Sequence, residues 1–209
     1  IIFADRGIIY DRNKVELAWN KKANIGTEIE DAPVIKEEVA PQSLVRAYRS
    51  GGFSHVLGYV SYPTRDKTGN YWQEDFIGKD GLEKQYDERL KGENGYKMIE
   101  KTAKGEIYSE NIVNTPKQGN ELVTSIDARV QSQLFTFIKD LSLRGSFAGG
   151  AGIIMDVQNG EIITSTSFPE YDSEVLSLVN DKEKINDYMT DKRRVFIDRG
   201  ISGLYTPGS

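Results

Sequence analysis

The stretch Ala151-Gly152-Ile153-Ile154-Met155-Asp156-Val157-Gln158-Asn159-Gly160-Glu161-Ile162-Ile163-Thr164-Ser165-Thr166-Ser167 decides the fold class. Two β-favouring segments, 151–157 and 161–167, flank Asn159-Gly160, the strongest short hairpin signal, because both residues accept the positive φ of a tight turn. Just upstream, Ile126, Val130, Leu134, Phe137 or Ile138, and Leu141 recur at three- and four-residue steps, the period of an amphipathic helix. Thr124, Ser125 and Asp127 are each able to cap its start. A helix laid on the antiparallel strands that follow it predicts an α+β fold.

Working outward, Asn114-Thr115-Pro116-Lys117-Gln118-Gly119-Asn120 has the composition of a linker and divides the chain into 1–119 and 120–209. Tyr96 to Tyr108 reads as a hairpin turning near Lys104-Gly105. Over Asp80 to Gly92 the spacing predicts one helix: Asp80 as cap, Glu83 as its capping-box partner, Leu82, Tyr86 and Leu90 on one face, and Gly92 as the exit. His55 to Val60 reads as a short strand, and Ile8 to Tyr10 with Val15 to Trp19 as a first hairpin. Residues 21–54 give no firm element, only weak helical character near Lys36 to Val39 and Ser43 to Tyr48. Asp181 to Ser209 starts charged and ends as though a helix were about to begin.

Composition narrows the chemistry. In 209 residues, 27 Lys and Arg against 32 Asp and Glu leave a net charge of −5, so the chain lacks the basic stripe that displaces counterions from nucleic acid. The densest basic run, Lys192-Arg193-Arg194, reads as solvated surface. A hydrophobic fraction of 38% supports one large core or two small ones. No apolar run approaches the ~18 residues of a membrane span. With no cysteine and a single histidine, disulfide frameworks and the usual zinc sets are excluded, and no metal or other cofactor is expected. The start at Ile1, without a signal-peptide pattern, is the expected look of a trimmed or partial chain.

His55 is the sole imidazole and, among apolar neighbours, is read as structural rather than as a triad base. The glycines at 145, 149, 150 and 152 precede a strand, the wrong order for a nucleotide fingerprint. The acidic stretch Asp66 to Asp75 lacks EF-hand ligand spacing. Arg6, Asp11 and Arg12 are read as an ion-paired stitch between strands. Pro207-Gly208-Ser209, alone, is too short a string to carry chemistry.

In order along the chain, however, several strings together resemble the class B penicillin-binding proteins, and most closely their elongation-type branch. They are Arg6-Gly7-Ile8-Ile9-Tyr10-Asp11-Arg12-Asn13 with Leu17, Ala18 and Asn20; His55 to Val60; and Gly78 through Gly81-Leu82-Glu83, Tyr86-Asp87, Leu90 and Gly92. Then come Ser125-Ile126-Asp127 with Val130-Gln131; Met155-Asp156 through Gly160-Glu161-Ile162 to Ser167, Pro169, Tyr171 and Asp172; and Arg199 with Tyr205, Pro207, Gly208 and Ser209. Asp198 stands where the family usually has Asn, Lys14 replaces a common Gly, and the tract from Asn20 to His55 is shorter than usual.

The resemblance implies an extended β-rich pedestal over 1–119, then the opening part of a transpeptidase domain of the serine β-lactamase-like kind over 120–209. It implies Ser209 as the nucleophile of a Pro-Gly-Ser-Thr-x-Lys string, activated by a lysine one helical turn on. The implied substrate is a peptidoglycan stem peptide ending in D-Ala-D-Ala, and β-lactams would acylate the same serine. The implied partners are an elongation-complex glycosyltransferase and a rod-shape scaffold protein. The implied location is the extracytoplasmic face of the bacterial cytoplasmic membrane, with an anchoring helix before Ile1. The chain stops before the lysine and the later motifs, so alone it is expected to be inactive. The rival expectations are a pedestal that serves only as a scaffold, and a division-type transpeptidase.

Overall fold

The computed structural model of the chain describes residues 1–22 and 44–205. Ile9–Tyr10 (β1) and Glu16–Lys22 (β2) form the expected first hairpin. Leu44–Tyr48 (β3) adds antiparallel to β2, with Ala18 opposite Tyr48 and Trp19 opposite Ala47. The stretch 43–48, read as weakly helical, is therefore mostly strand. Its residues 45–48 are all buried, and a strand covered on both faces loses the alternation that identifies one. The weakly helical 36–39 lies outside the described residues.

Ser54–Leu57 (α1), Val60–Ser61 (β4), Thr64–Arg65 (β5), Tyr71–Gln73 (β6) and Ile77–Gly78 (β7) are short elements. The strand expected from His55 to Val60 is thus chiefly a helical turn, and His55 sits in it. Gly58, at φ +75, ends the turn while its N–H bonds the Ser54 carbonyl at 2.7 Å.

Gly81–Gln85 (α2) and Asp87–Leu90 (α3) replace the single helix expected over 80–92. The chain leaves helical geometry at Tyr86 (φ −111, ψ 23), and the Asp80 side chain makes no cap bond. Glu83 completes no capping box because its carboxylate is taken by two arginines inside the molecule. The apolar spacing was sound: Leu90 is buried, Leu82 and Tyr86 pack beside it, and Gly92 exits at φ +70.

Tyr96–Lys101 (β8) and Ile107–Asn114 (β9) form the expected hairpin, with Gly105 at φ +85 in its turn. Leu122–Val123 (β10) then returns to lie parallel to β1, giving a four-stranded sheet ordered β10-β1-β2-β3. Between β9 and β10 the chain is bonded back to the first half. Lys117 and Glu93 exchange backbone bonds, Gly119 donates to the Asp5 carbonyl, and Asn120 to that of Arg89.

Ala128–Gly145 (α4), Gly150–Met155 (β11), Ile162–Phe168 (β12), Ser173–Leu178 (α5) and Lys182–Thr190 (α6) complete the described chain. Asp127 is the cap of α4, accepting from the N–H groups of Arg129 and Val130. β11 and β12 pair antiparallel as expected, although their connection spans Asp156 to Glu161 rather than two residues. A Cβ on Gly152 would lie 2.7 Å from Leu134 Cδ2, so the missing side chain lets α4 settle on β11. Leu134 and Ile138 face the hairpin, whereas Phe137 and Leu141, expected on the same stripe, are exposed. One core cluster joins Ile9, Leu17, Phe53, Leu57 and Leu90 to Ile126 and Ala128 at the start of α4. The chain is a mixed α and β structure, and no helix among the described residues is long and apolar enough to cross a membrane.

Candidate functional site

Arg6 and Arg46 grip the two oxygens of one buried carboxylate. Arg6 Nε donates to Glu83 Oε2 at 2.6 Å and Arg46 Nε to Glu83 Oε1 at 2.7 Å, with Glu83 wholly inaccessible. Arg6 also donates to Asp87 Oδ1 at 2.6 Å, and Arg46 to the Gly7 carbonyl and to Asn20. Burial disfavours the Arg6 cation, but attraction to Glu83 and Asp87 outweighs it and holds its pKa above the ordinary arginine value. Three separated strings of the sequence, Arg6-Gly7, Asn20 and Glu83 to Asp87, thus meet at one knot. The expected stitch of Arg6 and Arg12 around Asp11 does not form: Arg12 pairs with Glu161 at 3.0 Å. Asp11 instead accepts backbone N–H groups from Asn13, Val15 and Ala128.

A second polar cluster joins the first half of the chain to the second. Gln131, fully buried on α4, donates to the carbonyls of Gly52 and Ser165 at 2.6 Å each and accepts from Ser165 N–H and the Thr164 hydroxyl. Thr166 Oγ1 also donates to the Gly52 carbonyl, at 3.1 Å. The Glu170 carboxylate accepts from the N–H groups of Gly52 (2.8 Å) and Ser54 (3.1 Å). Tyr171 Oη donates to the Ser54 carbonyl and lies 3.3 Å from Asp80 Oδ2, and burial with the nearby Asp80 charge drives its pKa strongly up. His55 Nε2 lies 3.0 Å from the Val195 carbonyl and its ring meets Tyr171 edge-on, which fits a positioning role for His55. Sequence reasoning missed Gln131, Glu170 and Gly52 as partners, since nothing local marks a contact between residues more than seventy positions apart.

From this joint the chain leads toward Ser209. Arg199 donates through its guanidinium to the carbonyls of Ile197 and Arg193 and through its N–H to Ser167 Oγ, while Asp198 Oδ1 accepts from Gly200 N–H. The candidate nucleophile Ser209, with Pro207 and Gly208, lies outside the described residues. Among the described residues no group of three or more histidine, cysteine, aspartate or glutamate side chains is placed to hold a metal ion.

The β8–β9 hairpin stands apart. Every residue of β8 is exposed, and Met98, Ile107, Tyr108, Ile112 and Val113 all present their side chains to solvent. Among the described residues its strands pair only with each other, tied at the base where Tyr96 Oη bonds Glu74. A two-stranded ribbon with apolar flanks has little stability alone and gains by being covered.

Residues 22–124 match the family model described as the penicillin-binding protein dimerisation domain. The chain is similar to the penicillin-binding proteins over these residues. It is 28% identical over 168 residues to the peptidoglycan D,D-transpeptidase MrdA of Escherichia coli K12, covering 75% of this chain and 25% of that protein. Against MrdA of Salmonella typhimurium LT2 the identity is 30% over 174 residues, 78% of this chain and 27% of the relative. A probable peptidoglycan D,D-transpeptidase, PenA of Neisseria flavescens, is 29% identical over 119 residues, 54% of this chain and 29% of its own length. The solved penicillin-binding protein PBP2 of Helicobacter pylori shares the fold with a TM-score of 0.65 at 22% identity, across all of this chain and 51% of the other. The chain therefore spans about a quarter of the length of the curated relatives it matches.

Proposed function

We propose that this chain is the pedestal, residues 1–119, and the opening of the transpeptidase domain, residues 120–209, of a peptidoglycan D,D-transpeptidase that works in cell elongation. The observation that carries this is the similarity to proteins named D,D-transpeptidase over three quarters of the chain; the candidate nucleophile is the serine of Pro207-Gly208-Ser209. The outer edge of β11, unpaired among the described residues and with Ile153, Ile154 and Met155 exposed, supports a sheet that further strands extend.

In this reading the Ser209 hydroxyl attacks the carbonyl of the penultimate D-alanine, and the terminal D-alanine leaves as its amine takes a proton. An amine of a neighbouring strand then attacks the acyl-enzyme, frees the serine and forms the crosslink. A lysine one turn along takes the serine proton. A backbone N–H at the helix start stabilises the oxyanion. β-Lactams acylate the same hydroxyl. The protein faces the extracytoplasmic side of the membrane, held by a helix preceding Ile1. The exposed β8–β9 hairpin supports contact of the pedestal with a glycosyltransferase or rod-shape scaffold protein of the elongation machinery. The full-length protein is expected to release D-alanine from a stem pentapeptide, and Ser209→Ala to lower that rate by about a thousandfold or more. A full-length protein that releases none would leave the scaffold reading in its place.

A further inference from the structure

A polar cleft of about 230 Å³ opens between the end of β3 and the segment carrying α5 and α6, lined by Tyr48, Arg49, Glu170, Asp172, Ser173 and Lys184. Its charges divide into a satisfied pair and an unsatisfied one. Lys184 Nζ lies 3.2 Å from Asp172 Oδ2, while the other oxygen of Asp172 caps α5. Arg49 has no ion pair among the described residues, its guanidinium lying 6.0 Å from the centre of the Phe53 ring. Glu170 has no cation partner among the described residues either, its two oxygens each accepting a backbone N–H. A cation and an anion thus line one cleft without neutralising each other. The Ser173 hydroxyl, 3% exposed, is also without a hydrogen-bond partner among the described residues. Unpartnered buried hydroxyls are costly and are usually met by a ligand or ordered water.

We infer that this cleft binds a small zwitterion of the α-amino-acid class. The carboxylate meets Arg49 and the Ser173 hydroxyl, and the ammonium meets Glu170. A carboxylate recruits a guanidinium and hydroxyl donors, whereas an ammonium needs an acceptor with spare lone pairs, and the cleft offers one of each. Its volume suits one amino acid or a dipeptide. Because Glu170 also holds Gly52 and Ser54, an occupant would bridge the two halves of the chain at their joint. The inference does not depend on the transpeptidase reading, and it can fail while that reading stands.

The test is an amide-detected NMR titration of the 209-residue chain with glycine and alanine, beside acetate and methylammonium as half-ligands. Saturable shifts at Ser54 and Ser173 are expected for the amino acids at about millimolar concentration, with each half-ligand at least about tenfold weaker. Arg49→Met and Ser173→Ala are expected to weaken alanine about tenfold while leaving the thermal melt unchanged. Absence of saturable binding, or acetate binding as tightly as alanine, would overturn the proposal, leaving a cleft filled by water alone. The half-ligand comparison uses the unaltered protein and stands even if a variant fails to fold.

Discussion

Glu83 and Arg46 meet at 2.7 Å with both side chains sealed from solvent. Arg6 holds the other carboxylate oxygen. The first sheet is thereby fastened to the α2–α3 region by charge as well as by the apolar packing of Ile9 and Leu17 in one cluster with Leu90. Such a knot is costly to half-dismantle, because removing one member leaves the others buried and unpaired. Glu83→Ala is therefore expected to cost about 3–5 kcal/mol. Urea denaturation of the chain and its variant checks this, and a loss below about 1 kcal/mol would contradict it.

Asp11 ties the first hairpin to the start of α4 through the Ala128 N–H at 3.1 Å. Burial pushes its carboxyl up, but bonds from the N–H groups of Val15, Ala128 and Asn13 outweigh this and hold its pKa below the ordinary aspartate value. A depressed folded pKa means the stabilisation is fully present above the unfolded pKa of ~3.9 and is lost as pH falls through the folded value. Asp11→Asn is expected to cost about 1–2 kcal/mol at pH 7. Melting the pair across a pH series should show the gap closing below about pH 4, and a gap independent of pH would contradict this.

Gly52 is held at φ +98, where a Cβ would come within 2.6 Å of Phe135 Cβ and Thr166 Oγ1. An alanine there combines backbone strain with a clash, so Gly52→Ala is expected to destabilise by about 2–4 kcal/mol. Hydrogen exchange should show the 49–54 loop opening first. Uniform loss of protection would mean that the joint is not the weak point.

The β8–β9 hairpin, by contrast, supports no other part of the described fold. Replacing residues 98–112 by a short turn, with Tyr96 and Asn114 kept, is expected to change stability by less than about 1 kcal/mol. A large fall in the melting temperature would show that the hairpin serves the core.

The elements legible in the sequence were those with local signatures. Gly105 and Asn159-Gly160 marked turns, Asp127 marked the start of α4, and Leu82, Tyr86 and Leu90 marked an apolar face. What escaped was decided at a distance. Glu83 sits where a capping-box residue belongs, yet Arg6 and Arg46 claim it from 77 and 37 positions away. The β3 strand is buried on both faces and so shows no alternation. Phe137 and Leu141 keep the helical period but have no partner surface among the described residues. Ser209 was reached through resemblance, since a three-residue string has no physical signature of its own.

The most direct measurement is peptide-level mass spectrometry of the full-length protein after incubation with penicillin. A penicilloyl adduct on the peptide containing Ser209, absent from Ser209→Ala, is the predicted result. An adduct on another residue, or none on a folded full-length protein, would contradict the assignment.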